Sequence, residues 1–152
     1  MRILVFSDSH GNSRCMSEAL YSNPNAEMII HLGDGERDLN DIGDAVAGRK
    51  IIQVCGNCDL YSLLPTNELV TADGVKIFCT HGFAEQVKSG NSVLISKAKE
   101  AGARIALYGH THKAVTDYRD GLYIMNPGSI RSGDYGAIDI TEKGIYLSLL
   151  EV

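Results

Sequence analysis

The feature of this sequence that most constrains its fold is a set of five short apolar runs, each followed by a turn. The runs are rich in isoleucine, valine and leucine, and each has the length of a strand rather than of a helix. Continuous apolar runs of this kind are typical of strands buried on both faces, as in parallel sheets covered by helices. We therefore predict five buried strands, at residues 2–6, 28–32, 50–54, 75–79 and 104–108.

Two segments between these runs have the signals of helices. Residues 13–22 follow the first strand, and either Asn12 or Ser13 can cap this segment as a helix. Residues 92–101 form the second predicted helix, and Gly102 directly after them is a typical stop signal.

The second half of the chain adds the signals of antiparallel hairpins. Asp-Gly pairs, as at residues 73–74 and 120–121, favour tight turns between paired strands. We predict three hairpins, which join residues 69–72 to 75–79, 114–119 to 122–125 and 135–140 to 145–150. The chain thus begins as βαβ units and ends in hairpins. This order predicts an α/β domain in which two sheets pack face to face with helices outside.

Composition narrows the class of protein further. The 152 residues are the length of one domain, so we expect a single domain over residues 1–152. With 44% hydrophobic and 22% charged residues, the chain has the composition of a globular protein. With a net charge of −5, the chain lacks the positive field that strong nonspecific nucleic-acid binding requires. No apolar run has the length of a membrane span or a signal-peptide core, so we expect a cytoplasmic protein with no membrane partner.

Side chains that can bind a metal follow every one of the predicted strands. Because ligands of α/β sheets gather beyond the carboxyl ends of the strands, residues far apart in sequence can converge there. His110 and His112 are alternate residues of one extended segment, so both can face the same site. The candidate ligands are Asp8, His10, Asp34, Asn57, His81, His110 and His112.

The chemistry of these seven side chains favours transition metals. Oxygen donors mixed with imidazole nitrogens suit manganese, iron or zinc better than calcium or magnesium, which prefer oxygen alone. Seven ligands are too many for one tetrahedral ion. They suit two ions with open positions if one carboxylate bridges, which is the arrangement that two-metal hydrolases use.

Each of these motifs has an ordinary structural explanation when it is taken alone. Asp8-x-His10 and Gly33-Asp34 can be strand-end turns, and a lone histidine is more often a core residue than a ligand. However, four of the five histidines in the chain fall at strand ends, and independent structural accidents explain that poorly. We expect a structural or supporting role for the fifth, His31.

The cysteines and Asp59 leave alternatives open. Cys55-x-x-Cys58 has the spacing of half a zinc site, but the chain has no second pair, so we expect reduced thiols. Asp59 either holds a ligand imidazole in the right tautomer or is only a turn residue of its loop.

No residue is singled out for substrate binding. Four basic side chains could contact a phosphate, but solvation at the surface is the default for each of them. They are Arg14, Arg37, Lys113 and Arg131. Asn126 and Ser129 either line the cleft or only shape their loop.

The chain resembles the calcineurin-like metallophosphoesterase superfamily in five motifs that occur in order. They are Asp8-x-His10, Gly33-Asp34, Gly56-Asn57-Cys58-Asp59, Thr80-His81-Gly82 and Gly109-His110-Thr111-His112. Within the superfamily, the chain looks like the small single-domain phosphodiesterases of the YfcE type, which also carry a loop like Asn126-Pro127-Gly128-Ser129. The resemblance therefore covers most of the chain.

The resemblance implies a fold and a dinuclear site. The fold is a four-layer β-sandwich of two mixed sheets flanked by helices. One metal ion is held by Asp8, His10, Asp34 and His112, and a second by Asp34, Asn57, His81 and His110, so that Asp34 bridges. The implied cofactors are two divalent ions, with Mn²⁺ first and Ni²⁺, Fe²⁺, Co²⁺ or Zn²⁺ as alternatives.

The resemblance also implies an activity, the hydrolysis of a small phosphodiester by a metal-bridging hydroxide. Asp34 and Asn57 are the implied catalytic residues. Larger family members carry a histidine after the metal-binding asparagine, where it is thought to help protonate the leaving group, but this chain has Cys58. A thiol is a poorer proton donor than imidazolium, so we expect diesters with good leaving groups to be turned over best.

A protein-binding scaffold is the alternative function, because a retromer subunit resembles these small enzymes in fold. The complete ligand set favours the enzyme, since buried polar groups are costly where they serve no purpose. A zinc hydrolase of the metallo-β-lactamase type is disfavoured, because His110-Thr111-His112 is followed by Lys113 rather than by the expected aspartate and histidine. A homodimer is the expected oligomeric state, only because dimers are the commonest oligomers of soluble proteins.

Overall fold

Ten strands and three α-helices make up the fold, which a computed structural model describes for residues 1–152. In chain order these elements are β1 (Arg2–Phe6), α1 (Ser13–Ser22), β2 (Met28–His31), α2 (Gly43–Val46), β3 (Lys50–Gln53), β4 (Asn67–Ala72), β5 (Val75–Thr80), α3 (Ser92–Glu100), β6 (Ile105–Leu107), β7 (Val115–Arg119), β8 (Leu122–Asn126), β9 (Asp134–Thr141) and β10 (Gly144–Glu151). Short 3₁₀ helices occupy Asp38–Ile42, Val87–Ser89 and Ile130–Ser132.

The strands form two mixed five-stranded sheets. The first sheet has the order β10-β9-β1-β2-β3 and the second has the order β4-β5-β6-β8-β7. Strands β1, β2 and β3 are parallel in the first sheet, and β5, β6 and β8 are parallel in the second. The remaining strands pair antiparallel with their neighbours. The parallel strands of each sheet therefore end at a common edge, and the loops that follow them meet there.

Alternation along β1 shows how the layers are built. Ile3 and Val5 face the other sheet, in a core to which both sheets contribute. Leu4 and Phe6 face outward and pack against α1, in a cluster that includes Met16. A third cluster joins the outer face of the second sheet to α3. Because successive strand residues point to opposite faces, one short apolar run serves two layers, and the expected four-layer sandwich is confirmed.

Both predicted helices and all three hairpins are present, with shifts of one or two residues at some ends. Strands β2 and β3 end one residue earlier than predicted, at His31 and Gln53. In the first two hairpins the Asp-Gly turn residues all have positive φ, as a type I′ turn requires. None of the helices has the length and apolar character that crossing a bilayer requires.

Asp59 joins two of the loops that carry candidate ligands. Its Oδ2 accepts hydrogen bonds from the N–H groups of Asp34 and Gly56, both at 2.8 Å. Its Oδ1 accepts from the N–H groups of Gly35 and Glu36, at 3.0 and 3.1 Å. Burial by itself would raise the pKa of Asp59, but these four donors outweigh it and lower the pKa below its usual range. Asp59 thus ties the β2–α2 loop to the β3–β4 loop.

The prediction that Asp59 holds a ligand imidazole is therefore wrong. Both carboxylate oxygens are taken up by backbone N–H groups, and none of them bonds to a histidine. The alternative, a turn residue of its own loop, accounts only for the bond to Gly56. The other three bonds reach the neighbouring loop.

His31 supports a second connection between loops, which agrees with the structural role expected for it. Its Nδ1 accepts the Gly33 N–H at 3.2 Å, so Nε2 carries the proton and donates to Ser9 Oγ at 3.0 Å. Ser9 Oγ donates in turn to Asp38 Oδ2 at 2.6 Å, which also accepts the Gly11 N–H at 2.8 Å. This chain of bonds attaches the β1–α1 loop to β2.

We predict that Asp59→Ala lowers the free energy of unfolding by about 2–3 kcal/mol, because it leaves several backbone donors without an acceptor. Urea denaturation of the chelator-treated protein measures the change. Asp117→Ala is the matched control, since Asp117 lies at the surface, where it pairs with Arg119 and accepts only the N–H of its neighbour Tyr118, and we expect less than about 0.5 kcal/mol there. Equal effects of the two substitutions would contradict the role of Asp59.

We predict an acid-sensitive contribution of His31 to stability. Complete burial lowers the pKa of His31 to about 4, below the value of roughly 6.5 in the unfolded chain. Because the unfolded chain binds the proton more readily, stability falls as the pH decreases from about 6.5 to about 4, by about 1.4 kcal/mol per pH unit. Urea denaturation across this range should show this slope in the wild type and its loss in His31→Gln. Parallel pH profiles would contradict the prediction.

Candidate metal centre

All seven predicted ligand residues meet beyond the ends of the parallel strands. Ligand atoms lie within 4.8 Å of one another in three overlapping groups: Asp8 with His10 and His112, His10 with Asp34 and Cys58, and Asp34 with His81 and His110. Asn57 joins the third group, because its Oδ1 lies 3.0 Å from His81 Nε2. Cys58 is the one member that was not predicted as a ligand.

The Asp8 carboxylate is fixed by one oxygen and presents the other to the histidines. Its Oδ2 accepts hydrogen bonds from Ser7 Oγ at 2.6 Å and from the His110 N–H at 3.0 Å. Its Oδ1 lies 3.1 Å from His112 Nε2 and 3.7 Å from His10 Nε2. The side chain is fully buried, so these donors set its orientation.

Asp34 is arranged in the same way between two histidines. Its Oδ1 accepts the Cys58 N–H at 2.8 Å. Its Oδ2 lies 3.3 Å from His81 Nε2 and 3.8 Å from His10 Nε2. Burial would raise the pKa of Asp34, but the hydrogen bonds from His81 and the Cys58 N–H outweigh it and lower the pKa well below its usual range. Asp34 is thus a charged carboxylate that reaches histidines of both outer groups.

His81 turns its Nε2 towards the acidic groups. Its Nδ1 lies 2.8 Å from the Leu32 carbonyl oxygen, so Nδ1 carries a proton and donates it. Nε2 then faces Asp34 Oδ2 and Asn57 Oδ1, which are both acceptors. Burial would lower the pKa of His81, but the bond to Asp34 and the charge of Asp8 raise it overall. Three acceptors around one point require a proton or a cation between them, and this donor set fits divalent metal ions.

The backbone is left-handed at five of the seven candidate ligands. The φ angles are 55° at Asp8, 44° at His10, 59° at Asp34, 66° at His110 and 59° at His112. Positive φ is uncommon outside glycine, although aspartate and histidine adopt it more readily than most residues. Such strain persists where the surrounding structure enforces it, and it concentrates at functional sites. Nothing in the strand pattern of the sequence indicated it.

Two glycines leave room for the carboxylates. A Cβ atom at Gly56 would collide with Asp34 Oδ1, and one at Gly109 would collide with Ser7 Oγ and lie 2.8 Å from Asp8 Oδ2. The sequence indicated these glycines only as turn residues. Their lack of a side chain is what lets the loops approach the acidic groups.

Several supporting residues hold the loops, and the sequence left their roles open or missed them. Ser129 Oγ donates to the Asp8 carbonyl at 2.8 Å. Asn126 Nδ2 donates to the Gly109 carbonyl at 3.0 Å and to Thr111 Oγ1 at 2.9 Å. Both Asn126 and Ser129 are buried, so they shape their loops. Ser7 was missed because a strand-end serine has no distinguishing pattern.

The basic residues considered for phosphate contacts do not gather at the centre. Arg14 forms an exposed ion pair with Glu18 at 2.8 Å. Arg37 lines a cleft of about 460 Å³ beside His10, and Lys113 lines a separate groove. Arg131 lies in the third 3₁₀ helix, where its carbonyl accepts a hydrogen bond from Asn12 Nδ2.

The four cysteines are all free, as expected, and Cys79 is buried in the core between the sheets. Cys58 is exposed at the rim of the cleft beside His10. Partial burial raises the pKa of the Cys58 thiol, and the nearby charge of Asp34 raises it further. Cys58 is therefore a neutral thiol near pH 7.

Burial, and then the charges of His81 and Lys88, lower the pKa of His110. His110 is accordingly neutral at pH 7 and free to use its lone pair as a ligand. Phe83 packs edge-on against its ring, with the centroids 5.5 Å apart.

Comparison with known proteins agrees with the geometry of the centre. The chain is 32% identical over 132 residues to the probable metallophosphoesterase YsnB of Bacillus subtilis, covering 86% of this chain and 76% of that protein. It is 26% identical to the phosphodiesterase YfcE of Escherichia coli, covering 91% of this chain and 88% of that protein.

Solved structures share the fold over the whole chain. A predicted phosphoesterase from Streptococcus pneumoniae superposes with a TM-score of 0.83 at 28% identity, covering 99% of this chain and 88% of that one. Vps29 of Chaetomium thermophilum superposes with a TM-score of 0.77 at 18% identity, covering 100% of this chain and 95% of that one. At that identity the second match shows the fold alone.

The family model for the calcineurin-like phosphoesterase superfamily domain matches residues 1–141. This match spans every strand except β10 and includes every residue of the candidate metal centre. The chain belongs to the calcineurin-like phosphoesterase superfamily.

Proposed function

We propose that this protein is a metal-dependent phosphodiesterase with a dinuclear centre. The observation that carries the proposal is the convergence of metal-binding atoms at His81, where Nε2, the Asp34 carboxylate and the Asn57 amide oxygen face one another. No lysine or arginine forms an ion pair with Asp8 or Asp34. Buried charges without a partner are costly, and metal ions would remove that cost.

The residues divide between two ions as the family pattern suggests. Asp8, His10, Asp34 and His112 would hold one ion, and Asp34, Asn57, His81 and His110 the other. Asp34 is the proposed bridge, and its Oδ2 distances of 3.8 Å to His10 and 3.3 Å to His81 support that assignment. When bound, two divalent ions lower the pKa of a coordinated water and stabilise charge on phosphoryl oxygens. Mn²⁺ is the proposed metal.

The contribution of the protein itself is orientation and protonation. Ser7 and the His110 N–H hold Asp8, the Cys58 N–H holds Asp34, and the Leu32 carbonyl keeps the His81 proton on Nδ1. Asn57 is exposed at the mouth of the centre, so its amide can contact both an ion and a phosphoryl oxygen. Asp34 and Asn57 are accordingly the proposed catalytic residues, acting on a small phosphodiester.

A scaffold that binds protein partners is the second candidate function. Its support is the fold shared with Vps29 at 18% identity. The scaffold gives no reason for an intact set of metal ligands, so the enzyme is the better supported function. The two candidates differ in one measurable property, which is metal-dependent turnover.

We predict that chelator-treated protein does not hydrolyse bis-p-nitrophenyl phosphate and that Mn²⁺ restores the activity. Asp34→Asn and His81→Ala should each lower kcat/KM by at least about 100-fold, because each removes a ligand. Native mass spectrometry should find two Mn²⁺ ions on the wild type and fewer on the variants. Asp41→Asn is the matched control, since Asp41 is exposed away from the centre. Absence of turnover with Mn²⁺, Ni²⁺, Co²⁺ and Zn²⁺ would favour the scaffold.

We predict a strong dependence of the rate on the leaving group, because Cys58 is a weak proton donor. The p-nitrophenyl ester of methyl phosphate should be hydrolysed much faster than the phenyl ester, whose phenolate is harder to expel. Cys58→His should narrow that ratio by about tenfold or more by supplying an imidazolium, whereas Cys58→Ser should leave it unchanged. Equal rates on both esters in the wild type would contradict the prediction.

A further inference from the structure

A second groove adjoins the candidate metal centre. It has a volume of about 670 Å³ and is lined by Val87 and Lys88 from the second 3₁₀ helix and by five side chains of residues 108–115. Thr111, which lies between the candidate ligands His110 and His112, is one of them. We call it the lysine groove, after Lys88 and Lys113. One small molecule can occupy both the groove and the centre, because the same loop lines both.

The lysine groove carries uncompensated positive charge. No aspartate or glutamate lines it. The lysines of the chain that form ion pairs are Lys97 and Lys99, so neither Lys88 nor Lys113 has a carboxylate partner. The chain as a whole has a net charge of −5, but this groove has two unpaired lysines and no carboxylate. Its local charge is therefore positive, which favours the binding of an anion.

The cleft on the other side of the candidate ligands has the opposite character. It is lined by Asp34, Glu36, Asp38 and Asp59, and Arg37 is the one arginine or lysine among its lining residues. Carboxylates repel a phosphate group unless a cation lies between them. A substrate with more than one negative charge is therefore drawn towards the lysine groove.

Two hydroxyl groups of the groove have hydrogen atoms to donate. Thr111 Oγ1 accepts from Asn126 Nδ2 at 2.9 Å and from the Lys113 N–H at 3.3 Å, so its own O–H is not used by these bonds. Tyr108 is buried except for 5% of its surface, and its hydroxyl accepts from Asn91 Nδ2 at 3.3 Å. With both lysines, the groove offers donors to an anion from several directions.

The rest of the groove is apolar. Val87 is buried and Val115 is 41% exposed, and Ala114 completes the apolar lining. Pockets that combine a few polar groups with an apolar wall hold organic molecules rather than bare ions. The groove thus suits an anion that is attached to a carbon framework.

We propose that the lysine groove binds a second phosphate group of the substrate. The preferred substrates are then phosphodiesters whose organic group also carries a phosphate monoester. Lys88, Lys113 and Thr111 bind that second phosphate, and the apolar wall contacts the carbon framework. The inference rests on the proposed function for the identity of the reacting diester, but the groove can be tested without turnover.

Hydrolysis of a matched pair of esters tests the subsite. The pair is thymidine 3′-(p-nitrophenyl phosphate) with and without a 5′-phosphate, assayed with the Mn²⁺-loaded protein. We expect the 5′-phosphorylated ester to have about tenfold higher kcat/KM. Lys88→Gln and Lys113→Gln should each reduce that ratio by about threefold, and the double variant should abolish it. Lys143→Gln, at the distant turn before β10, should leave it unchanged.

The affinity of the protein for reaction products tests the subsite without requiring hydrolysis. Titration calorimetry compares thymidine 3′,5′-bisphosphate with thymidine 3′-phosphate on the Mn²⁺-loaded protein. The bisphosphate should bind about tenfold more tightly, and both lysine variants should reduce that advantage. The advantage should also shrink as salt is raised, since both lysines are exposed.

The outcomes separate the subsite from the proposed function. Tighter binding of the bisphosphate without any hydrolysis supports the subsite and overturns the phosphodiesterase. Hydrolysis of both esters with equal kcat/KM overturns the subsite alone. A groove that only captures free phosphate is the third case. Lys88→Gln would then weaken the binding of inorganic phosphate while the wild type shows no preference between the esters, which also overturns the proposal.

Discussion

The rest of the structure depends on two buried carboxylates, Asp8 and Asp34. In each of them one oxygen is fixed by hydrogen bonds, so that the other oxygen faces imidazole nitrogens. Asp8 and Asp34 are 0% and 3% exposed, and like charges so close together oppose folding unless donors or cations compensate them. The compensation comes from loops that follow different strands: the His110 N–H reaches Asp8, and the Cys58 N–H reaches Asp34. The parallel strand order is what delivers those loops to one edge.

The sequence was sufficient to predict the strands, helices and hairpins, because local sequence patterns determine them. The run at β1 and the helix α1 were predicted to the residue, since a continuous apolar run and a capping residue at Asn12 or Ser13 are short-range signals. The convergence of the candidate ligands was also predictable, because they all follow strands. Their assignment to particular ions remains a proposal.

What the sequence could not supply are contacts made with the backbone. The group that holds His81 is the Leu32 carbonyl, and a carbonyl is present at every residue, so no side-chain pattern marks it. Asp59 was one of two alternatives left open for such a purpose, and it instead collects N–H groups from two loops. The need for glycine at Gly56 and Gly109 arises from distances to Asp34 and Asp8 across the fold, which a turn signal alone does not contain.

The left-handed backbone at five candidate ligands has a consequence for how this site changes over time. At such positions glycine, asparagine, aspartate and histidine fit at the lowest steric cost. A descendant that lost the chemistry would meet the same steric preference at the positions of Asp8, His10, Asp34, His110 and His112. Asparagine or glycine is therefore the expected replacement at a former centre, whereas β-branched residues at several of these positions would indicate that the loops themselves had been rebuilt.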